Sequence, residues 1–254
     1  MIENNCRKGI AMSKKIPIIS WRFGEEYYIV EFVTPKTYMI EKIAEKLKGR
    51  DEVETILNIA KFIRDEFYYP LDSRGNPSCD GQFLKSRKSV FSYHFRRCVP
   101  YMWLFPSETL NMRFGICIDT SLLATSIMRR LDIDAYCVLG AVRDKRGQLL
   151  GYHAWTEFML NKEWFILETT IHEKDSANII RRTDGYQGKY GIIYDPYAMF
   201  NEKDYTELKS LIHLFTFYGQ SKKIIKEYEK RKQVRIWNIY KEITPLIKSI
   251  IDKR

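Results

Sequence analysis

From Cys117 onward, Ile118, Leu122, Leu123, Ile127, Met128 and Leu131 recur at steps of three and four, the spacing of a helix that buries one face. Two earlier stretches carry the same period. Met39, Ile40, Ile43, Ala44 and Leu47 form one apolar stripe, with Gly49 placed to cap its C-terminal end. Val53, Ile56, Leu57, Ala60 and Ile63 form a second, running to about Phe67, and Asp51 with Glu54 has the spacing of a capping box at its start. Other segments have the character of strands. Residues 26–33, EYYIVEFV, are closed by Pro35, and 134–142, DAYCVLGAV, is a nearly continuous apolar run suited to a buried central strand that includes Cys137. Asp144 to Gly147 supplies a turn.

The stretch from Gly151 to Thr170 alternates, which predicts a β-hairpin turning at Asn161 and Lys162. His153, Trp155, Glu157 and Met159 share one face of its first strand; Tyr152, Ala154, Thr156, Phe158 and Leu160 share the other. A two-residue loop pairs Leu160 with Glu163, hence Trp155 with Glu168 and His153 with Thr170. His153 and Glu168 then become diagonal neighbours on one face, with Cβ atoms about 7–8 Å apart. A three-residue loop would send them to opposite faces.

Little periodicity survives from Leu71 to Ser89, where Gly75, Pro77 and Gly81 mark a long loop. That loop and the aromatic run FSYHFRRCVPYMW can form one wall of a groove or simply pack on the core. Past Asp195-Pro196, Asn201 is placed to cap a helix through Tyr205, Leu208, Leu211, Ile212 and Phe215, and Ser221 starts another. Residues 221–254 hold eleven Lys or Arg against four Asp or Glu, so most of the chain's net charge of +10 sits there. Ile236, Tyr240, Ile243, Leu246, Ile247 and Ile250 give this tail an apolar side, which Pro245 interrupts. Such a tail is a solvated helix packed by its stripe, or a contact for an acidic partner or polyanion; it matches no nucleic-acid-binding motif.

With 45% hydrophobic and 14% aromatic residues, the 254-residue chain is globular. The first twenty residues contain no apolar run long enough for a secretory signal or membrane span, which predicts a cytoplasmic protein. Five cysteines in an odd, widely spaced set (Cys6, Cys79, Cys98, Cys117, Cys137) argue against a disulfide framework, and no zinc-ligand spacing is present. No cofactor is implied.

Chemistry concentrates at Cys117. An unpaired cysteine is commonly a small buried hydrophobe. This one opens a helix behind Gly115, where unpaired amides and the helix dipole favour a thiolate and Gly115 allows a close approach. His153 and Glu168 on the hairpin supply a base and a carboxylate to orient it. Among the other histidines, His94, His172 and His213 lack both a partner strand and a motif, and Asp119 suits the first turn as an acid complementing the dipole.

Three motifs carry a resemblance: Gly115-Ile116-Cys117 opening a helix, His153-Ala154-Trp155 on a strand, and Trp164 to Thr170 on the next. In order and spacing they resemble the transglutaminase-like superfamily, whose fold is related to papain-like thiol enzymes. The lead-in Trp103 to Leu110 and the segment Phe62 to Asp72 are similar too, so the likeness spans about residues 30–200. The resemblance implies Cys117 as nucleophile, His153 as base and Glu168 as the orienting acid. It makes Trp103, Gly115 and Trp155 candidates for the oxyanion site and substrate groove, although the main-chain N–H of Cys117 is the simpler oxyanion donor. Many relatives carry an acidic residue where Ile116 stands and aspartate where Glu168 stands; neither change removes a reacting group.

The expected fold is α+β, a papain-like, transglutaminase-like core with N-terminal helices packed on an antiparallel sheet. The expected division is a tail over 1–20, a catalytic core over 21–200 and a basic helical extension over 201–254. The expected activity is thiol-dependent acyl transfer on amide bonds of a polypeptide, as a cysteine protease or amidase. A crosslinking or deamidating transferase and a non-catalytic binding module are the alternatives.

Overall fold

The turn at Asn161 and Lys162 fixes the sheet. Both residues have positive φ (52° and 68°), the conformation of a tight two-residue hairpin loop, adopted here by a lysine that is poorly suited to it. Leu160 consequently pairs with Glu163. The computed structural model describes residues 16–22, 25–67, 103–113, 115–170, 178–209 and 211. The loop and aromatic run between 68 and 102, His172, and the basic tail from 212 lie outside the described residues.

Strands β1 (Ile18–Arg22) and β2 (Glu25–Tyr28) pair as a small ribbon. Helices α1 (Tyr38–Leu47), α2 (Glu52–Glu66), α3 (Pro106–Met112) and α4 (Cys117–Arg130) follow. Then come β3 (Ala135–Asp144), β4 (Leu149–Leu160), β5 (Glu163–Leu167) and β6 (Ile179–Arg181). A short helix α5 (Arg182–Tyr186) precedes β7 (Ile192–Phe200) and β8 (Tyr205–Glu207). Strands β3 to β8 form one antiparallel sheet in the order β6-β5-β4-β3-β7-β8. This is an α+β fold. Among the described residues no helix is long and apolar enough to cross a membrane.

Helix α4 departs from the one-sided helix its period predicts, because every residue from Cys117 to Met128 is buried. Leu123, Ala124, Ile127 and Met128 pack with α1, α2 and the sheet residues Phe158 and Leu167. Each fully buried Leu or Ile there contributes about 1.5–3 kcal/mol. The polar residues of α4 are buried with partners instead of exposed. Thr125 bonds Thr156 of β4 at 3.3 Å, Ser126 accepts the Thr34 N–H at 3.0 Å, and Thr120 and Ser121 meet Thr169. A buried hydroxyl costs little once its hydrogen bonds are made.

Elsewhere the structure corrects local expectations. Only residues 25–28 of the first strand are extended; Ile29–Phe32 form a 3₁₀ turn that puts Ile29 and Phe32 into the core, held by the Tyr28 N–H donating to Glu31 at 2.6 Å. Lys48, not Gly49, caps α1. Gly49 answers to space, since a Cβ there would lie 2.7 Å from the Glu54 side chain. Asp51 caps α2 through the Glu54 N–H at 2.8 Å, but Glu54 reaches back to the N–H of Arg50, one residue before the cap. Over the described residues 201–209 the helix expected from Asn201 does not form. Asn201 Oδ1 accepts the N–H groups of Lys203 and Asp204 and closes a turn into β8. An Asn that can cap a helix can equally close a hairpin, because both use N–H groups two or three residues on.

Strand β7 takes Pro196 at a bulge, where Leu139 pairs with Ala198 and Gly140 with Pro196, leaving Tyr197 over. The Tyr197 carbonyl is taken up by the N–H groups of Leu208 and Lys209. Gly140 is needed there: a Cβ would sit 2.3 Å from the Asp195 carbonyl oxygen and 2.6 Å from the Trp155 ring.

Candidate active site

Cys117 is the first residue of α4 and is nearly buried. Its position is set by Asp119, whose Oδ2 accepts the Ile116 N–H at 2.9 Å and whose Oδ1 accepts the Leu104 N–H at 2.8 Å. Asp119 thus does more than complement the dipole: it ties the helix tip to the segment entering α3. Gly115 packs so closely that a Cβ would lie 2.7 Å from the Asp119 Cβ. Trp103 is fully buried in the same apolar cluster as Cys117, edge-on to Phe32 at 5.4 Å.

Strand β5 stops at Leu167, opposite Thr156, and Glu168 leaves the ladder with its N–H on the Asn178 carbonyl at 2.7 Å. The Glu168 carboxylate then meets His153 on β4, whose Nε2–H donates to Oε2 at 2.8 Å. Cys117 also acts on the imidazole and helps to raise its pKa. With Nε2 committed to the carboxylate, Nδ1 is the ring nitrogen left for the sulfur. Trp155 is fully buried behind this pair, its ring 6.3 Å from the His153 ring at 27°, its Nε1–H donating to Glu157 at 2.9 Å.

The electrostatics follow from this placement. Burial disfavours the charged imidazole, but the Glu168 charge, the Cys117 side chain and the bond with Glu168 outweigh it and hold His153 well above 6.5. Burial would likewise raise the Glu168 carboxyl. The His153 charge and bond, with two bonds from Thr170, hold it down at about 2. Those two are the Thr170 N–H at 2.9 Å and its hydroxyl at 2.6 Å, both on Oε1.

One contact has no sequence signal in the hairpin. Tyr194 of β7 donates its hydroxyl to Glu168 Oε2 at 2.8 Å, and its ring stands edge-on to Trp155 at 5.1 Å. Its strand is separated from β4 by β3, a neighbourhood that only the sheet order supplies. On the same face Glu157 is buried, with the Tyr186 hydroxyl at 2.5 Å and Arg182 at 3.5 Å. Burial pushes its carboxyl up against the pull of those donors.

The family model described as the transglutaminase-like superfamily matches residues 41–169, just over half of the chain. The chain belongs to the transglutaminase-like superfamily. The matched span of this superfamily member includes Cys117, His153 and Glu168. UPF0252 protein MJ1282 of Methanocaldococcus jannaschii is 26% identical over 162 residues, covering 61% of this chain and 42% of that protein. The chain thus spans less than half the length of this relative. Among solved structures, a candidate cysteine protease from Cytophaga hutchinsonii is 19% identical with a TM-score of 0.39, covering 66% of this chain and 46% of that one. LapG of Legionella pneumophila is 15% identical with a TM-score of 0.41, covering 78% and 97%.

Proposed function

We propose that this superfamily member is a thiol-dependent enzyme that cleaves amide bonds of a polypeptide through Cys117, His153 and Glu168. The observation that carries the reading is the His153–Glu168 hydrogen bond, beside a cysteine at a helix N-terminus that acts on the same imidazole.

The Cys117 sulfur, as thiolate, attacks the amide carbonyl carbon, and the carbonyl electron pair moves onto oxygen beside the main-chain N–H of Cys117. Collapse of this adduct breaks the C–N bond while the imidazolium of His153 gives its proton to the departing amine. A thioester remains. Neutral His153 then takes a proton from water as the water oxygen attacks the thioester carbonyl. The C–S bond breaks, the acid leaves, and the thiolate–imidazolium pair is restored. Glu168 keeps the imidazole in one orientation and balances its charge throughout.

The test is a peptide-cleavage and acyl-donor screen on the full chain with Cys117→Ala as control. Cleavage that Cys117→Ala abolishes supports hydrolysis; amine incorporation without cleavage replaces it with transfer. With iodoacetamide at neutral pH, Cys117 is expected to react much faster than the other four cysteines, and His153→Ala to remove that advantage. Equal rates in the wild type would leave a binding module.

A further inference from the structure

The geometry points to Tyr194 as a positioning residue that holds the Glu168 carboxylate on His153. The inference rests on the reading of Cys117, His153 and Glu168 given above.

A glutamate has three rotatable side-chain bonds, so fixing one carboxylate orientation has an entropic cost that its surroundings must offset. Thr170 binds only Oε1. Among the described residues, the oxygen that meets the imidazole, Oε2, has one further donor, the Tyr194 hydroxyl at 2.8 Å. The phenol therefore sits on the same atom as His153 Nε2, and its donation fixes where that atom lies.

Tyr194 is itself held rigidly. It is 6% exposed and packs edge-on against Trp155, whose indole is pinned by Glu157. It pairs with Val142 of β3, which pairs with Gly151 of β4, and Gly140 leaves room for the Trp155 ring. Burial and the neighbouring carboxylate push its phenol far above the ordinary range, so it remains a donor throughout the working pH range.

Losing this donor frees Glu168 to rotate away, and His153 loses the charge that keeps it protonated. Tyr194→Phe retains the ring and its packing. In that variant the His153 ring, followed by NMR and assigned with His153→Ala, is expected to titrate closer to 6.5, and alkylation of Cys117 by iodoacetamide at neutral pH to slow about tenfold. In a Glu168→Gln background the same change is expected to have no further effect on either readout. An unchanged His153 titration in a folded Tyr194→Phe protein would overturn the inference, as would an equal effect with and without Glu168. If Tyr194→Phe does not fold, Glu168→Asp replaces it: the shortened carboxylate cannot span both partners, so a comparable slowing is expected and a wild-type rate is the overturning result. Rapid alkylation of wild-type Cys117 with an unaffected Tyr194→Phe removes only this inference; slow wild-type alkylation removes the reading beneath it.

Discussion

Thr120 on the helix that carries Cys117 donates its hydroxyl to Thr169 at 2.9 Å, next in sequence to Glu168. Ser121 shares the same hydroxyl at 3.1 Å. The helix tip and the end of β5 are thereby fastened together by buried hydroxyls one residue from the carboxylate. Thr169→Val leaves both partners buried without it. It is expected to cost about 1–3 kcal/mol in urea unfolding and to slow iodoacetamide alkylation of Cys117. An unchanged urea midpoint would show that the fastening contributes nothing.

Asp119 places the lead-in segment against the helix start by accepting two main-chain N–H groups with its two oxygens. Asp119→Asn replaces one acceptor by a donor that faces another donor. A loss of about 1–3 kcal/mol is expected, read from the thermal or urea midpoint. Asp119→Glu, longer by one methylene, is expected to fare no better, because Gly115 packs against the Asp119 Cβ.

The His153–Glu168 pair gives stability a pH window with two signs. Glu168 has a folded value lowered from 4.5 to about 2, so its contribution is complete above 4.5 and is lost as pH falls toward 2. His153 has a folded value raised well above 6.5, so its contribution is complete below 6.5 and is lost as pH rises through the folded value. The stability difference between wild type and Glu168→Gln is therefore expected to be largest between pH 4.5 and 6.5. Unfolding series across pH read it directly, and a difference that stays flat from pH 2 to 9 would contradict the assignment.

Gly140→Ala is expected to be among the more costly single-methyl additions. The new Cβ meets a backbone oxygen at 2.3 Å as well as the Trp155 ring, and the backbone cannot swing aside as a flexible side chain would. A penalty of about 1–3 kcal/mol or more is expected, with a changed near-UV dichroism signal from the displaced Trp155.

The hairpin is legible in the sequence, because alternation over β4 and a two-residue break fix which side chains share a face. The ladder ends with Thr156 opposite Leu167, so the pairs expected of Glu168 with Trp155 and of Thr170 with His153 do not form, and Glu168 reaches His153 from beyond the strand. Helix α4 was legible as a helix but not as a buried one: its serines and threonines look like a wet face until Thr34, Thr156 and Thr169 are brought to them. The turn at Asn201 misled because its side chain serves a helix cap and a hairpin with the same hydrogen bonds.

By itself, then, the amino-acid order determined the helix that begins at a cysteine, the hairpin whose first strand carries a histidine, and the family pattern joining them. These are short-range matters, set by periodicity and turn geometry within a few tens of residues. Which groups complete the site was decided only by tertiary structure. Asp119 clamps Leu104 and Tyr194 meets Glu168 because sheet order and helix docking bring distant segments together. A hydrogen bond across such a separation leaves no period in the sequence, since it depends on where whole elements come to rest.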